Sequence, residues 1–67
     1  MINEYIYIIL LHNRRYMTIK EIVNGINAML RGENITYRQV YRNLEKYPFL
    51  YDKIIINSHC HKYNLIL

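Results

Sequence analysis

The sequence predicts an α+β fold, three helices followed by a C-terminal β-hairpin, in one domain spanning 1–67. Three observations carry that expectation. Apolar residues recur at helical spacing in three segments. A threonine stands ahead of the second and of the third, where an N-cap belongs. After Pro48 the pattern changes to β-branched residues suited to strands. With 67 residues, 52% of them hydrophobic, the chain holds one core at most, and two-domain arrangements are excluded.

Helix one is expected from residue 2 to about residue 13. Ile2, Tyr5, Ile6, Ile9 and Leu10 fall on one face of a 3.6-residue repeat. Tyr7, Ile8 and Leu11 form a second apolar stripe, and a helix that is apolar all round needs cover all round. Two covers are open: the C-terminal strands, or a second copy of the chain in a homodimer. Arg14 and Arg15 follow the helix, where cations complement its dipole whether or not they touch a ligand.

Tyr16, Met17 and Thr18 form a short β-capable stretch, and Thr18 with Glu21 is a capping-box pattern opening helix two. Its expected core positions are Ile19, Ile22, Val23, Ile26, Met29 and Leu30, with Gly32 as the left-handed C′ residue. Gly25 is read on the polar side, at a cost of about 1 kcal/mol relative to alanine unless another backbone approaches it.

Thr36, preceded by the staple residue Ile35, opens helix three, expected at about 37–47 and stopped by Pro48. Val40, Leu44 and Tyr47 point inward, with Tyr37 and Asn43 at the borders. Arg38, Gln39, Arg42, Glu45 and Lys46 point outward, with Tyr41 at their edge. Residues 53–56 and 61–67 then read as two strands joined around Asn57 and Ser58. Alternation puts Tyr63, Leu65 and Leu67 on one face, and Lys62, Asn64 and Ile66 on the other.

This order of elements is that of a winged helix-turn-helix domain, with 51–67 as the wing. Residues 17–22 (MTIKEI) resemble the second helix of many winged-helix regulators, and residues 35–45 (ITYRQVYRNLE) are similar to the recognition helix of ferric-uptake-type repressors. The resemblance implies that Tyr41 and Arg42 approach DNA. That family adds a metal-binding dimerisation domain after the wing, whereas this sequence ends at Leu67, so metal-gated repression is not expected. The richness in Ile, Asn, Lys and Tyr is similar to that of small regulators from viruses and mobile elements.

The residues themselves support the same expectation. Nine Lys/Arg against five Asp/Glu give a net charge of +4, which favours an acidic partner such as nucleic acid. An Arg fork can bond guanine O6 and N7, and a Gln amide adenine N6 and N7, each pair discriminating by about 1–3 kcal/mol. Arg38, Gln39 and Arg42 supply those groups from one helical face, while Tyr37 and Tyr41 suit thymine methyls or phosphates. Thr36 and the first-turn N–H groups favour a phosphate oxygen, and Lys46, Lys53, Lys62 and the wing-tip His59 would hold flanking backbone. Double-stranded DNA is therefore the expected partner, read by a homodimer joined through Tyr7, Ile8 and Leu11. The alternative is a protein-binding module or inhibitor that docks through helix one or helix three.

Other chemistries find little support. His59, Cys60 and His61 offer at most two ligands on one side of an extended strand, short of the four that structural zinc takes, so no metal or other cofactor is expected. No paired carboxylates, nucleophile motif or phosphate-cradling glycine loop appears, and neither an enzyme nor a small-molecule substrate is expected. The longest apolar run, residues 5–11, is far below the roughly 20 residues a membrane span needs. A lone cysteine fits a reducing, cytoplasmic setting.

Overall fold

A computed structural model describes residues 2–66. Its elements in chain order are α1 (Ile2–Asn13), β1 (Met17–Thr18), α2 (Ile19–Met29), α3 (Tyr37–Lys46), β2 (Tyr51–Asn57) and β3 (Cys60–Leu65). The strands form one antiparallel sheet in the order β1-β3-β2, so the arrangement is a winged helix-turn-helix with the β2–β3 hairpin as wing. The three helices pack against one another and against one face of the sheet.

α1 buries Ile6, Ile9 and Leu10, with Ile2 and Tyr5 half-buried beside them. Past Asn13 the chain turns through Arg14, whose φ of 53° lies in the left-handed region and whose N–H donates to the Leu10 carbonyl at 2.9 Å. Tyr7, Ile8 and Leu11 stay exposed at 43%, 47% and 45%. The strands therefore cover this stripe only in part, Leu11 lining a cleft with Asn64 and Leu65 of β3.

α2 opens with the expected capping box. The Thr18 hydroxyl accepts from the Glu21 N–H at 3.2 Å, and the Glu21 carboxylate accepts from the Thr18 N–H at 2.9 Å. Ile19, Ile22 and Ile26 are buried. Two expectations are corrected at its end. Met29 is 40% exposed, because the chain leaves the helix at Leu30 and Leu30 itself folds back onto the core. Gly32, with φ 91°, lies two residues past the Leu30 C-cap and turns the connection rather than the helix end. Gly25 is also not on the polar side. It is half-buried against α1, and a Cβ there would sit 3.2 Å from both Cδ1 and Cγ2 of Ile9, so a side chain and not a backbone makes the approach.

The α2–α3 connection is held by a residue that pattern reading passes over. Asn27 uses both ends of its amide on one peptide unit's neighbours: its Oδ1 accepts from the Ile35 N–H at 2.8 Å, and its Nδ2 donates to the Ile35 carbonyl at 3.1 Å. Ile35 itself packs on the core. These contacts fix where α3 begins.

In the sheet, β2 starts two residues before the expected strand. Tyr51 is buried and its hydroxyl donates to the Asn3 side chain on α1, an anchor that propensity does not reveal. β3 starts one residue early, and Leu67, expected on the inward face, lies outside the described residues. Register pairs Met17 with Tyr63, Lys53 with Tyr63 and Tyr51 with Leu65, so these side chains share the inner face. Beyond Tyr51 the hairpin projects past the helices, leaving Ile55 and Ile56 exposed, and pairing skips Ile56 as a bulge.

Candidate nucleic-acid interface

α3 is held from beneath and presented outward. Val40 and Leu44 are buried at 0% and 2% exposure and lock its inner face, while the Asn27 contacts and the Thr36 cap hold its start. Arg38, Gln39, Tyr41, Arg42, Glu45 and Lys46 are all exposed. Arg38 and Arg42, one helical turn apart, point to the same side. Among the described residues neither guanidinium enters an ion pair or hydrogen bond, the ion pairs being Arg15–Glu21 and Lys53–Glu45. An open concavity of about 710 Å³ lies against α3, lined by Gln39, Arg42, Asn43, Glu45 and Lys46 together with Ile2 of α1, but not by Arg38.

Several expected contributors sit differently from the sequence expectation. Gln39 is the N3 residue of a second capping box: its Oε1 accepts from the Thr36 N–H at 2.9 Å and from the Thr36 hydroxyl at 3.2 Å, while the Gln39 N–H donates back at 3.3 Å. The carbonyl half of its amide is thus occupied, and two-point reading of adenine requires the box to open. Tyr37, expected at the border of the core, is 58% exposed because it lies in the first turn, ahead of the layer that Val40 seals. Tyr41 is exposed beside it.

The lysines divide. Lys46 is exposed, with its ammonium 5.6 Å from the Tyr47 ring centroid. Lys53 shares the inner face with Tyr63 and pairs with Glu45 of α3 at 3.8 Å, so part of its charge is already engaged. Lys62 pairs with Thr18 and Ile54 on the outer face of the sheet. That is the face opposite Tyr63 and Lys53.

Two clefts lie where the wing tip meets the helices. One, of about 180 Å³, is lined by Ile19, Tyr37, Tyr41, His59, His61 and Tyr63; its neighbour, about 250 Å³, shares Ile19, Tyr37, His59 and His61 and adds Lys20 and Cys60. The Asn57 carboxamide accepts from the His59 N–H at 2.8 Å and shapes this tip. Tyr63 is 2% exposed, and its hydroxyl is buried facing the Glu45 carboxylate of α3. Burial pushes that phenol up to about 12, and the nearby Glu45, Tyr41 and Tyr37 add to the rise. Tyr63 and Lys20 were not marked by the sequence, though β3 alternation puts His61 and Tyr63 on one side. Among the described residues no group of three His, Cys, Asp or Glu is placed to hold a metal ion, and no helix is long and apolar enough to cross a membrane.

Compared with protein-family models, with curated proteins and with solved structures, the chain finds no match in any of the three.

Proposed function

We propose that the protein is a sequence-specific double-stranded DNA-binding regulator of transcription, with α3 entering the major groove and the β2–β3 hairpin lying on flanking backbone. The observation that carries this reading is the exposed pair Arg38 and Arg42, unpaired on the outward flank of a helix rigidly seated by Val40 and Leu44. Such forks match guanine edges, and an α-helix fits the major groove. Tyr37 and Tyr41 border them, and Lys46 extends the positive flank towards the backbone.

The exposed stripe of Tyr7, Ile8 and Leu11 supports a homodimer. In that dimer the two α3 copies would enter successive major grooves about 34 Å apart. The free Cys60 suits a reducing, cytoplasmic setting. Selection from a random duplex library in moderate salt, read by sequencing, tests the reading. It expects an enriched, two-fold related motif; no enrichment and no retardation contradict it. The same exposed stripe favours a second reading, docking on another protein, for which duplex affinity is negligible at any salt.

A further inference from the structure

The cleft where the end of α1 meets β3 has a volume of about 320 Å³ and is lined by Leu10, Leu11, Arg14, Asn64 and Leu65. Leu10 and Leu65 are buried and form its floor, while exposed Leu11 and Arg14 and half-buried Asn64 form its rim. An apolar floor with a guanidinium and a carboxamide at the mouth suits a tyrosine: the ring fills the apolar part, the hydroxyl meets the polar rim, and an arginine can lie over the ring face. Tyr7 is 43% exposed one helical turn before Leu11, on the same flank of α1.

Charge along α1 says which way a neighbour would lie. Glu4, Tyr7, Ile8 and Leu11 are all exposed and recur at i, i+3, i+4 and i+7, a stripe opposite the buried Ile6, Ile9 and Leu10. The acid stands at the start of this stripe. The cation at the cleft, Arg14, follows its end, and the adjacent Arg15 is turned to Glu21 at 3.2 Å. A parallel copy of α1 would set Glu4 against Glu4 and Arg14 against Arg14. An antiparallel copy sets Glu4 against Arg14 at both ends and Tyr7 against Leu11 twice, which brings each tyrosine to the mouth of the other copy's cleft. Projection and cleft, acid and cation thus all lie on one face, as a two-fold interface requires.

We propose that two copies of the chain join through antiparallel α1 helices, Tyr7 of each entering the other's cleft between α1 and β3, with Glu4 and Arg14 paired across the axis. The inference rests on the homodimer of the reading above and gives it an orientation and a seat.

The test is sedimentation equilibrium of the full-length chain and its variants at low salt without DNA, each variant first checked for native circular dichroism. The parent should sediment at twice the 8.3 kDa of one chain. Tyr7→Ala removes a side chain that lies outside the core and should weaken self-association roughly tenfold or more. Glu4→Arg and Arg14→Glu each place like charges together at both ends and should each weaken it several-fold, and the double variant, which restores opposite charges, should recover the parent's strength. Arg14 lies beyond α1, so Arg14→Glu alone carries the charge test if Glu4→Arg disturbs the helix. In a parallel pair neither single change would matter.

A dimer that ignores Tyr7→Ala, or whose strength is unmoved by Arg14→Glu, overturns the antiparallel seat and leaves a dimer held by another surface. A parent that sediments as one chain at every concentration overturns the homodimer itself, takes the seat with it, and leaves the cleft to a foreign chain. Base reading by α3 stands or falls separately, in the library selection.

Discussion

Asn27→Ala should be among the most damaging polar substitutions in this chain. The amide makes two hydrogen bonds, at 2.8 and 3.1 Å, to the N–H and carbonyl of Ile35, and both are partly shielded from water. At about 0.5–1.5 kcal/mol each, their loss removes about 2 kcal/mol. A core of this size supplies only about 3–5 kcal/mol, so roughly half the stability is at stake. For a domain of this length 1 kcal/mol moves Tm by about 4–8 °C, so thermal melting followed by circular dichroism should show a drop of roughly 8–16 °C. The effect also reaches the interface: Ile35 is the staple ahead of the Thr36 cap, and freeing it loosens the first turn of α3. Asn27→Asp retains an acceptor for the Ile35 N–H but sets a second oxygen against the Ile35 carbonyl, and should be no better than alanine. If Asn27→Ala melts within about 2 °C of the parent, the amide is not what holds the turn, and α3 is seated by Val40 and Leu44 alone.

Gly25→Ala gains about 1 kcal/mol of helix propensity but forces a Cβ to 3.2 Å from Ile9 Cγ2, which hangs on a stiff β-branched carbon and cannot swing aside, so urea titration should show a net loss of about 1 kcal/mol. In an Ile9→Ala background the same change should become stabilising, and a loss of equal size there would refute the contact. Burial raises the phenols of Tyr51 and Tyr63 to about 12, above the ordinary value of 10, so the native state favours their protonated forms. Their contribution is complete below about pH 10 and is lost as pH rises towards 12, so stability should fall across that window, less steeply in Tyr63→Phe. Near-ultraviolet absorbance checks this: all eight tyrosines ionising together near the ordinary value, with the fold intact, would contradict it. Leu11→Lys places a charge in the exposed stripe of α1 and should reduce the sedimenting mass to the 8.3 kDa of one chain; an unchanged dimer mass would put the interface on another surface.

Helical spacing made the core readable because burial of Ile6, Leu10, Ile22, Ile26, Val40 and Leu44 depends on little beyond which way each residue points from its own helix. Thr18 and Thr36 were equally legible as caps, since a hydroxyl before an apolar-periodic run has a specific local partner. What escaped depends on neighbours distant in sequence. Gly25 meets α1, Asn27 meets the far end of the next turn, and Tyr51 meets Asn3 across the molecule; none of these partners is implied by local pattern.

At the candidate site the outward flank of α3 was readable, but Gln39 satisfies two patterns at once, base reader and capping-box N3, and the local one holds its carbonyl. Alternation in β3 separates Lys62 from Tyr63 without saying which face meets the helices. The register with Met17 decides that, and it sends Lys62 to the outer face. The isoleucine run of β2 suggests a buried strand by composition, yet its position on a projecting edge leaves Ile55 and Ile56 in solvent.

The most direct measurement of the central claim compares the base preferences of the parent protein with those of Arg42→Ala by library selection and sequencing. Direct readout by this fork predicts that one guanine-containing position per half-site loses its preference, at a cost of about 1–3 kcal/mol, while the other positions keep theirs. A motif that survives intact in Arg42→Ala, or a parent protein that enriches no motif, contradicts the account.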